Sequence, residues 1–175
     1  AFEIALIASD KPDAPGIAWA ADHGLPTFTH AAAHPATAAS KAEHEAAIDA
    51  ALRNAGTEFV ALAGYMRILG SNFVQRFADR LINIHPSLLP LFKGLNSHRQ
   101  ALEAGVRIHG CTVHFVTPAI DAGPIIAQAA VPVLPDDDEE TLAARVLPTV
   151  LQDAGFAFEH AVLGEAAPWV GLGYT

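Results

Sequence analysis

Phe59-Val60-Ala61-Leu62-Ala63 and Leu81-Ile82-Asn83-Ile84-His85, with Ser71–Phe77 between them, decide the fold. The two outer runs are nearly continuous in apolar residues, the pattern of strands covered on both faces in a parallel sheet, and Ser71–Phe77 reads as a short helix. The alternation extends towards the N-terminus. Phe2-Glu3-Ile4-Ala5-Leu6-Ile7-Ala8-Ser9 predicts a strand, Asp10–Gly16 breaks it with two prolines, and Ile17–His23 predicts a short helix closed by Gly24. Ser40-Lys41-Ala42-Glu43 has the S-x-x-E form of a capping box, and Ala47, Ile48, Ala51, Leu52 and Ala55 keep helical spacing until Gly56. Repeated strand and helix predict an α/β, doubly wound (Rossmann-like), mostly parallel sheet with helices on both faces. In such sheets ligands bind at the carboxyl ends of the strands.

Downstream the character changes. After the Pro-, Leu- and Gly-rich loop Pro86–Asn96 and a short helix over Ser97–Ala104, the run His109-Gly110-Cys111-Thr112-Val113-His114-Phe115-Val116 alternates. Cys111, Val113 and Phe115 fall on one face and Thr112, His114 and Val116 on the other. Ile125–Val133 is a second extended run beyond the turn Asp121-Ala122-Gly123-Pro124, so an antiparallel β-ribbon is expected to be appended to the parallel sheet. Asp136–Glu140 places acids at a helix start, where the macrodipole favours them. That helix is expected to run to about Leu163, kinked by Pro148. Neither an internal repeat nor a domain-scale linker is visible, and residues 1–175 read as a single domain.

The 175 residues are 51% hydrophobic and 17% charged, which excludes disorder, collagen-like repeats and a coiled coil. Apolar runs such as Phe59–Ala63 and Ile125–Ala127 stop well short of the roughly 18 residues a membrane span needs. Ala1-Phe2-Glu3-Ile4 lacks the basic and long apolar regions of a signal peptide, and the single cysteine, Cys111, forms no intrachain disulfide. Both features fit a reducing cytoplasm. Ten basic against 19 acidic residues give a formal charge of −9, which repels polyanions and makes a small-molecule site the better default than nucleic acid.

Asn83 and His85 interrupt an otherwise apolar strand at positions i and i+2, so both project to one side at its carboxyl end. A core amide and a structural histidine are the alternative. Pro86-Ser87-Leu88-Leu89-Pro90 fixes the backbone after the strand and offers Leu88 and Leu89 as pocket wall, the rigid support a pre-organised site needs. Asp121 precedes Gly-Pro in a tight turn, where an aspartate ordinarily caps its own backbone. His30 and His34 have the i, i+4 spacing of helical metal ligands, but Pro35 follows at once and no Glu or Cys pattern joins them. Asp136–Glu140 reads as a solvated helix start rather than a cation site, and Cys111 as a small core residue. No metal is expected.

Together, Asn83-Ile84-His85-Pro86-Ser87-Leu88-Leu89-Pro90, Gly94, His98-Arg99-Gln100-Ala101, His109–Val116 and Asp121-Ala122-Gly123-Pro124-Ile125-Ile126 closely resemble the glycinamide ribonucleotide formyltransferases of the formyl-folate transferase superfamily. The likeness runs from near residue 1 to about residue 147. It implies transfer of a formyl group from 10-formyltetrahydrofolate, as co-substrate, to the glycyl amine of glycinamide ribonucleotide in purine biosynthesis, with Asn83, His85 and Asp121 as the catalytic trio. Amine attack on the formyl carbon creates an oxyanion, and a donor aimed at it is worth about 3 kcal/mol. Asn83 and protonated His85 would be those donors. A free imidazole titrates near 6.5 and a neighbouring carboxylate favours its charged form, so Asp121 would both support His85 and accept the proton released by the amine.

By the same resemblance the folate site uses Leu62 and the segment Met66-Arg67-Ile68-Leu69, with Asn83 and the facing Thr117-Pro118-Ala119-Ile120-Asp121. Apolar Met66, Ile68 and Leu69 would sandwich a flat pterin; core packing is their alternative reading. Lys41 stands where the family usually has an arginine near the folate tail, a looser contact because lysine is a point charge. Two departures accompany the match. The family's first strand and its Gly-Ser-Asn phosphate turn have no counterpart, Ala1 falling where the second strand begins. In Leu147-Pro148-Thr149-Val150, the expected substrate-binding segment, Val150 replaces a glutamate that grips the amine-bearing side. A formyltetrahydrofolate hydrolase and a non-catalytic folate-binding remnant are the competing readings. A tRNA-directed enzyme is disfavoured by the acidity, and monomer and homodimer stay open.

Overall fold

The computed structural model describes residues 3–31, 33, 37–149 and 169–172. In chain order the elements are β1 (Ile4–Ser9), α1 (Pro15–Asp22), β2 (Thr27–Thr29), α2 (Ala38–Asn54), β3 (Val60–Leu62), α3 (Ser71–Arg76), β4 (Leu81–His85), α4 (Ser97–Glu103), β5 (Ile108–Phe115), β6 (Ile125–Pro132), α5 (Glu139–Thr149) and β7 (Trp169–Leu172). They fall into two compact units, one spanning β1 to α3 together with β7, the other β4 to α5.

The first unit is built on parallel strands in the order β2-β1-β7-β3. Leu6, Ile7 and Ala8 of β1 and all of β3 are buried, as continuous apolar runs require when both faces are covered. Ile48 and Leu52, one helical turn apart on α2, and Phe73, Val74 and Phe77 from α3 and its end complete this core. Pro15 opens α1, and Gly24 at φ +68° closes it, with Leu25 N–H donating to the Ala20 carbonyl. The start of α2 differs from expectation. Thr37 is the N-cap, its hydroxyl accepting from Ser40 N–H at 3.1 Å while the Ser40 hydroxyl accepts from Thr37 N–H at 2.9 Å. The capping box is therefore Thr37–Ser40, not Ser40–Glu43, because serine at the third helical position satisfies the reciprocal bond without a glutamate. β2 was not foreseen: its three residues carry no period, and their register against Ile7, Ala8 and Ser9 defines them as a strand.

In the second unit β4, β5 and β6 pair antiparallel in that order. The predicted alternation of faces along β5 is not the observed burial pattern: His109 to His114 are all buried, since both faces of this strand are covered. Gly110 is needed there, because a Cβ at that position would overlap the carbonyl oxygen of Ala129 on β6. Leu142 and Val146 of α5 enter the core. The acids before α5 act as expected, Asp138 Oδ1 accepting from Thr141 N–H at 2.8 Å. Pro148 lies within α5, and the predicted continuation towards Leu163 is outside the described residues. Among the described residues no helix is long and apolar enough to cross a membrane.

Candidate functional site

β4 presents Asn83 and His85 at its carboxyl end, and its antiparallel register with β5 sets His114 opposite Asn83 and Thr112 opposite His85. The Asp121–Pro124 turn then folds back onto β5. Phe115 N–H donates to the Pro124 carbonyl at 2.9 Å, and Gly123 packs so tightly on the Phe115 carbonyl that any Cβ would collide with it. Asp121, at φ +46°, is thereby held over the end of β4. Its Oδ2 lies 3.5 Å from His85 Nδ1 and accepts Gly94 N–H at 2.8 Å, while Oδ1 lies 3.7 Å from His114 Nε2. His85 Nε2 sits 3.0 Å from the Phe92 carbonyl oxygen, which only accepts, so this nitrogen carries a proton and Nδ1 is the edge that meets Asp121. Asn83 Nδ2 lies 3.3 Å from His114 Nε2. Amide, imidazole and carboxylate, separated along the chain, thus share one neighbourhood with His114 among them.

The loop that frames this group is tied down by hydrogen bonds. Thr112 Oγ1 donates to the Ser87 carbonyl at 2.7 Å and accepts Leu89 N–H at 3.0 Å; Ser87 Oγ donates to Leu91 and Ser97 Oγ to Pro86. Gln128 Nε2 donates to the Leu89 carbonyl at 2.8 Å. Leu89 is buried in the core, so it serves packing rather than the expected pocket wall, while Leu88 is half-buried. Phe92, Asn96 and Asp121 all hold positive φ, and three such non-glycine residues around one group mark backbone conformations that the surrounding bonds must enforce.

Burial favours the neutral ring at three other histidines of this unit, His98, His109 and His114. His109 is fully buried and pushed down to about 4, first by desolvation and then by His98, whose Nδ1 is 3.1 Å from His109 Nε2. His98 is lowered by burial, against the opposing pull of Glu139. His114 is lowered chiefly by burial, although its bond to the Phe115 carbonyl and the Asp121 charge oppose the shift.

The first unit holds the other group of expected residues. Arg67 Nε donates to Asp10 Oδ2 at 2.9 Å, joining the end of β1 to the segment after β3. Gly70 N–H donates to Glu45 Oε1 at 2.7 Å, and Lys41 Nζ lies 3.8 Å from the same oxygen, so α2 holds the far end of that segment. Met66 is 78% and Ile68 66% exposed, which removes core packing as the reason for their apolar character; Leu69 is half-buried, and Leu62 is a buried strand residue. Tyr65, beside them, is pushed above its ordinary value by burial and by Asp10.

Thr117 to Ile120 form the loop before Asp121 in the second unit, Thr117 Oγ1 donating to the Ala119 carbonyl at 3.1 Å and Ile120 standing half-exposed. Leu147, Pro148 and Thr149 occupy the last turn of α5, and Val150 lies outside the described residues. His34 is outside them too. His30 follows β2 and places Nδ1 3.2 Å from His44 Nδ1, and no group of described residues is arranged to hold a metal. Sequence reading missed His114, the Phe92 carbonyl, the Gly94 amide and Asp10. His114 was visible as a histidine on an alternating strand, but its register with Asn83 was not.

Residues 1–151 match the family whose description is formyl transferase. The chain belongs to the formyl transferase family. This formyl transferase is 44% identical over 142 residues to the phosphoribosylglycinamide formyltransferase of Bacillus subtilis, covering 81% of this chain and 71% of that protein. It is 47% identical over 146 residues to the trifunctional purine biosynthetic protein adenosine-3 of Gallus gallus, covering 82% of this chain but only 14% of the much longer relative. A crystal structure of phosphoribosylglycinamide formyltransferase from Brucella melitensis superposes with a TM-score of 0.81 at 46% identity, covering 91% of this chain and 80% of that one.

Proposed function

We propose that this formyl transferase moves a formyl group from 10-formyltetrahydrofolate to the primary amine of glycinamide ribonucleotide, a step of purine biosynthesis, with Asn83, His85 and Asp121 as its catalytic residues. The observation that carries this reading is the His85 Nδ1–Asp121 Oδ2 approach of 3.5 Å beside the Asn83 amide on the same strand. Reduced folate supplies the formyl carbon. As an amine nitrogen attacks that carbon, negative charge grows on the formyl oxygen, and Asn83 Nδ2–H and a proton on His85 Nδ1, the Nε2 proton being held by the Phe92 carbonyl, stabilise it; one such donor is worth about 3 kcal/mol. Asp121, 3.5 Å from His85 Nδ1, receives the proton the amine must lose, directly or through water, a contribution of roughly 10²–10⁴ in rate. As the tetrahedral intermediate collapses, the bond from the formyl carbon to the folate nitrogen breaks and that nitrogen takes up the proton, so that tetrahydrofolate leaves.

Folate is taken by the exposed Met66–Leu69 segment. Its apolar side chains suit a flat ring, and Arg67, bonded to Asp10 through Nε, turns its terminal nitrogens to a ligand carbonyl or carboxylate. Lys41 and the Thr117–Ile120 loop are further folate contacts, and the end of α5 contacts the second substrate. The chain's single cysteine and the small-molecule substrates fit a cytoplasmic setting.

The test is a formyl-transfer assay with 10-formyltetrahydrofolate and glycinamide ribonucleotide, run beside a water-only control. Formylated nucleotide appearing only with both substrates supports the proposal. Folate consumed equally in both reactions would replace the transferase with a hydrolase, and folate bound but never consumed would leave a binding protein.

A further inference from the structure

His114 lies across from Asn83 in the β4–β5 register, and 2% of its surface is exposed. Its Nδ1 is 2.9 Å from the Phe115 carbonyl oxygen. A carbonyl oxygen only accepts, so Nδ1 carries the ring proton, and in the neutral ring Nε2 is left as a bare acceptor. That acceptor is 3.3 Å from Asn83 Nδ2. Which end of an amide faces a partner is decided by what the partner can do, and here the partner accepts, so Asn83 must present its nitrogen. The reverse rotation, Asn83 Oδ1 towards Nε2, would need a second proton on a buried ring. The neighbouring carboxylate oxygen, Asp121 Oδ1, is 3.7 Å from Nε2, beyond a good hydrogen bond to such a proton. His85 and Lys93, the other charged or titratable groups that act on this ring, oppose the second proton further.

We propose that His114 is a positioning residue that sets the rotation of the Asn83 amide: by accepting one N–H of Nδ2 it holds the nitrogen end on the reacting side, leaving the second N–H of the same atom to donate to the formyl oxygen. The proposal rests on the formyl-transfer reading, because the amide's rotation matters to the rate only where Asn83 must act as a donor. It assigns His114 no contact with either substrate. Its effect passes through Asn83, and that is what separates it from a residue that merely fills the core.

A double-mutant cycle with an NMR arm tests it. His114→Leu removes the acceptor and is expected to lower kcat by about 10- to 100-fold, a large part of what one oxyanion donor supplies. KM for both substrates should stay within about twofold, as for an interaction that acts only on the chemical step. His114→Gln, which returns an acceptor oxygen near the position of Nε2, is expected to recover most of that loss. In an Asn83→Ala background His114→Leu should cost less than about twofold, because coupled residues do not add. The same fold-loss in both backgrounds overturns the proposal.

Side-chain ¹⁵N spectra of the unmodified protein give an answer that needs no activity and no variant. A pyrrole-type nitrogen at Nδ1 and a pyridine-type nitrogen at Nε2 of His114 near neutral pH support the tautomer. A proton on Nε2 there overturns it. Failure of the unmodified protein to formylate glycinamide ribonucleotide would sink the functional reading, and the spectra would still decide whether His114 can hold the amide as described.

Discussion

The two groups of candidate residues are built on opposite principles. Around Asn83, His85 and Asp121 the polar groups sit in a largely buried hydrogen-bond network: His85 to Phe92, Asp121 to Gly94, His114 to Phe115, Thr112 to Ser87 and Leu89. Around Met66–Leu69 the Met66 and Ile68 side chains stand in solvent, and the segment is tied through Arg67 to Asp10 and, just beyond it, through Gly70 to Glu45. A charge that forms and vanishes during a reaction needs donors fixed in advance, which buried networks provide. A flat ligand that must enter and leave needs apolar surface that is open before it arrives. On the proposed function the contrast assigns rate and affinity to different residues, and each expectation below is a way to break or refine that division.

The largest effect is expected at Asp121. Asp121→Asn keeps the acceptor oxygen for Gly94 N–H and abolishes the charge, so transfer should fall by about 10³, within the range of general acid–base assistance, while folate affinity stays nearly unchanged. Asn83→Ala comes next, with a loss of about 10²–10³ in kcat for one donor. Comparable turnover in either variant, measured with both substrates saturating, would remove that residue from the chemistry.

Arg67→Met sharpens the other side of the contrast. Folate binding measured by fluorescence titration should weaken about tenfold, the scale of one charge-assisted contact, with kcat at saturation within about twofold. The fold should lose less than about 1 kcal/mol, because the Asp10–Arg67 pair is partly exposed. A kcat loss larger than the loss of affinity would show that the segment takes part in the chemistry.

Acid should act on the buried region through its histidines. His109 is pushed down to about 4, and His98 and His114 are also lowered by burial. The unfolded chain takes up these protons at about pH 6.5 and the folded chain only at lower pH, so as pH falls through that interval the unfolded state binds more protons and the fold loses stability. The slope per histidine is at most about 1.4 kcal/mol per pH unit, and it flattens below the folded value. Urea midpoints measured from pH 7 to 4 should fall steadily, and His109→Gln should make the decline shallower. An unchanged midpoint across that range contradicts the neutral-histidine description.

The smallest effect is expected for Met66→Ser, within about 0.5 kcal/mol in stability because the residue is an exposed surface position, with a measurable loss of folate affinity. A destabilisation of several kcal/mol would return Met66 to a packing role.

The legible part of this protein is what depends on local pattern. Leu81–His85 was readable to the residue because an apolar strand interrupted twice at spacing two has no other simple reading, and the Asp121–Pro124 turn was readable from its Gly-Pro. The illegible part depends on register and on backbone atoms. His114 matters because β5 pairs with β4 at that offset, and no local feature of either strand sets an antiparallel register across a 22-residue gap (residues 86–107). The Phe92 carbonyl and Gly94 amide are groups every residue owns, so only the path of the loop makes them partners of His85 and Asp121. The start of α2 was misplaced by three residues because Ser40 can begin a capping box or complete one, and Thr37 decides. The apolar character of Met66 and Ile68 was equally consistent with a core, and their exposure separates the two.

The most direct test of the division between rate and affinity is one paired measurement: single-turnover formyl transfer and folate dissociation constant, determined on the same preparations of Asp121→Asn and Arg67→Met. The account predicts that the first variant loses about three orders of magnitude in the transfer step with its folate affinity intact, and that the second does the reverse on a tenfold scale. Both variants moving the same parameter would contradict it.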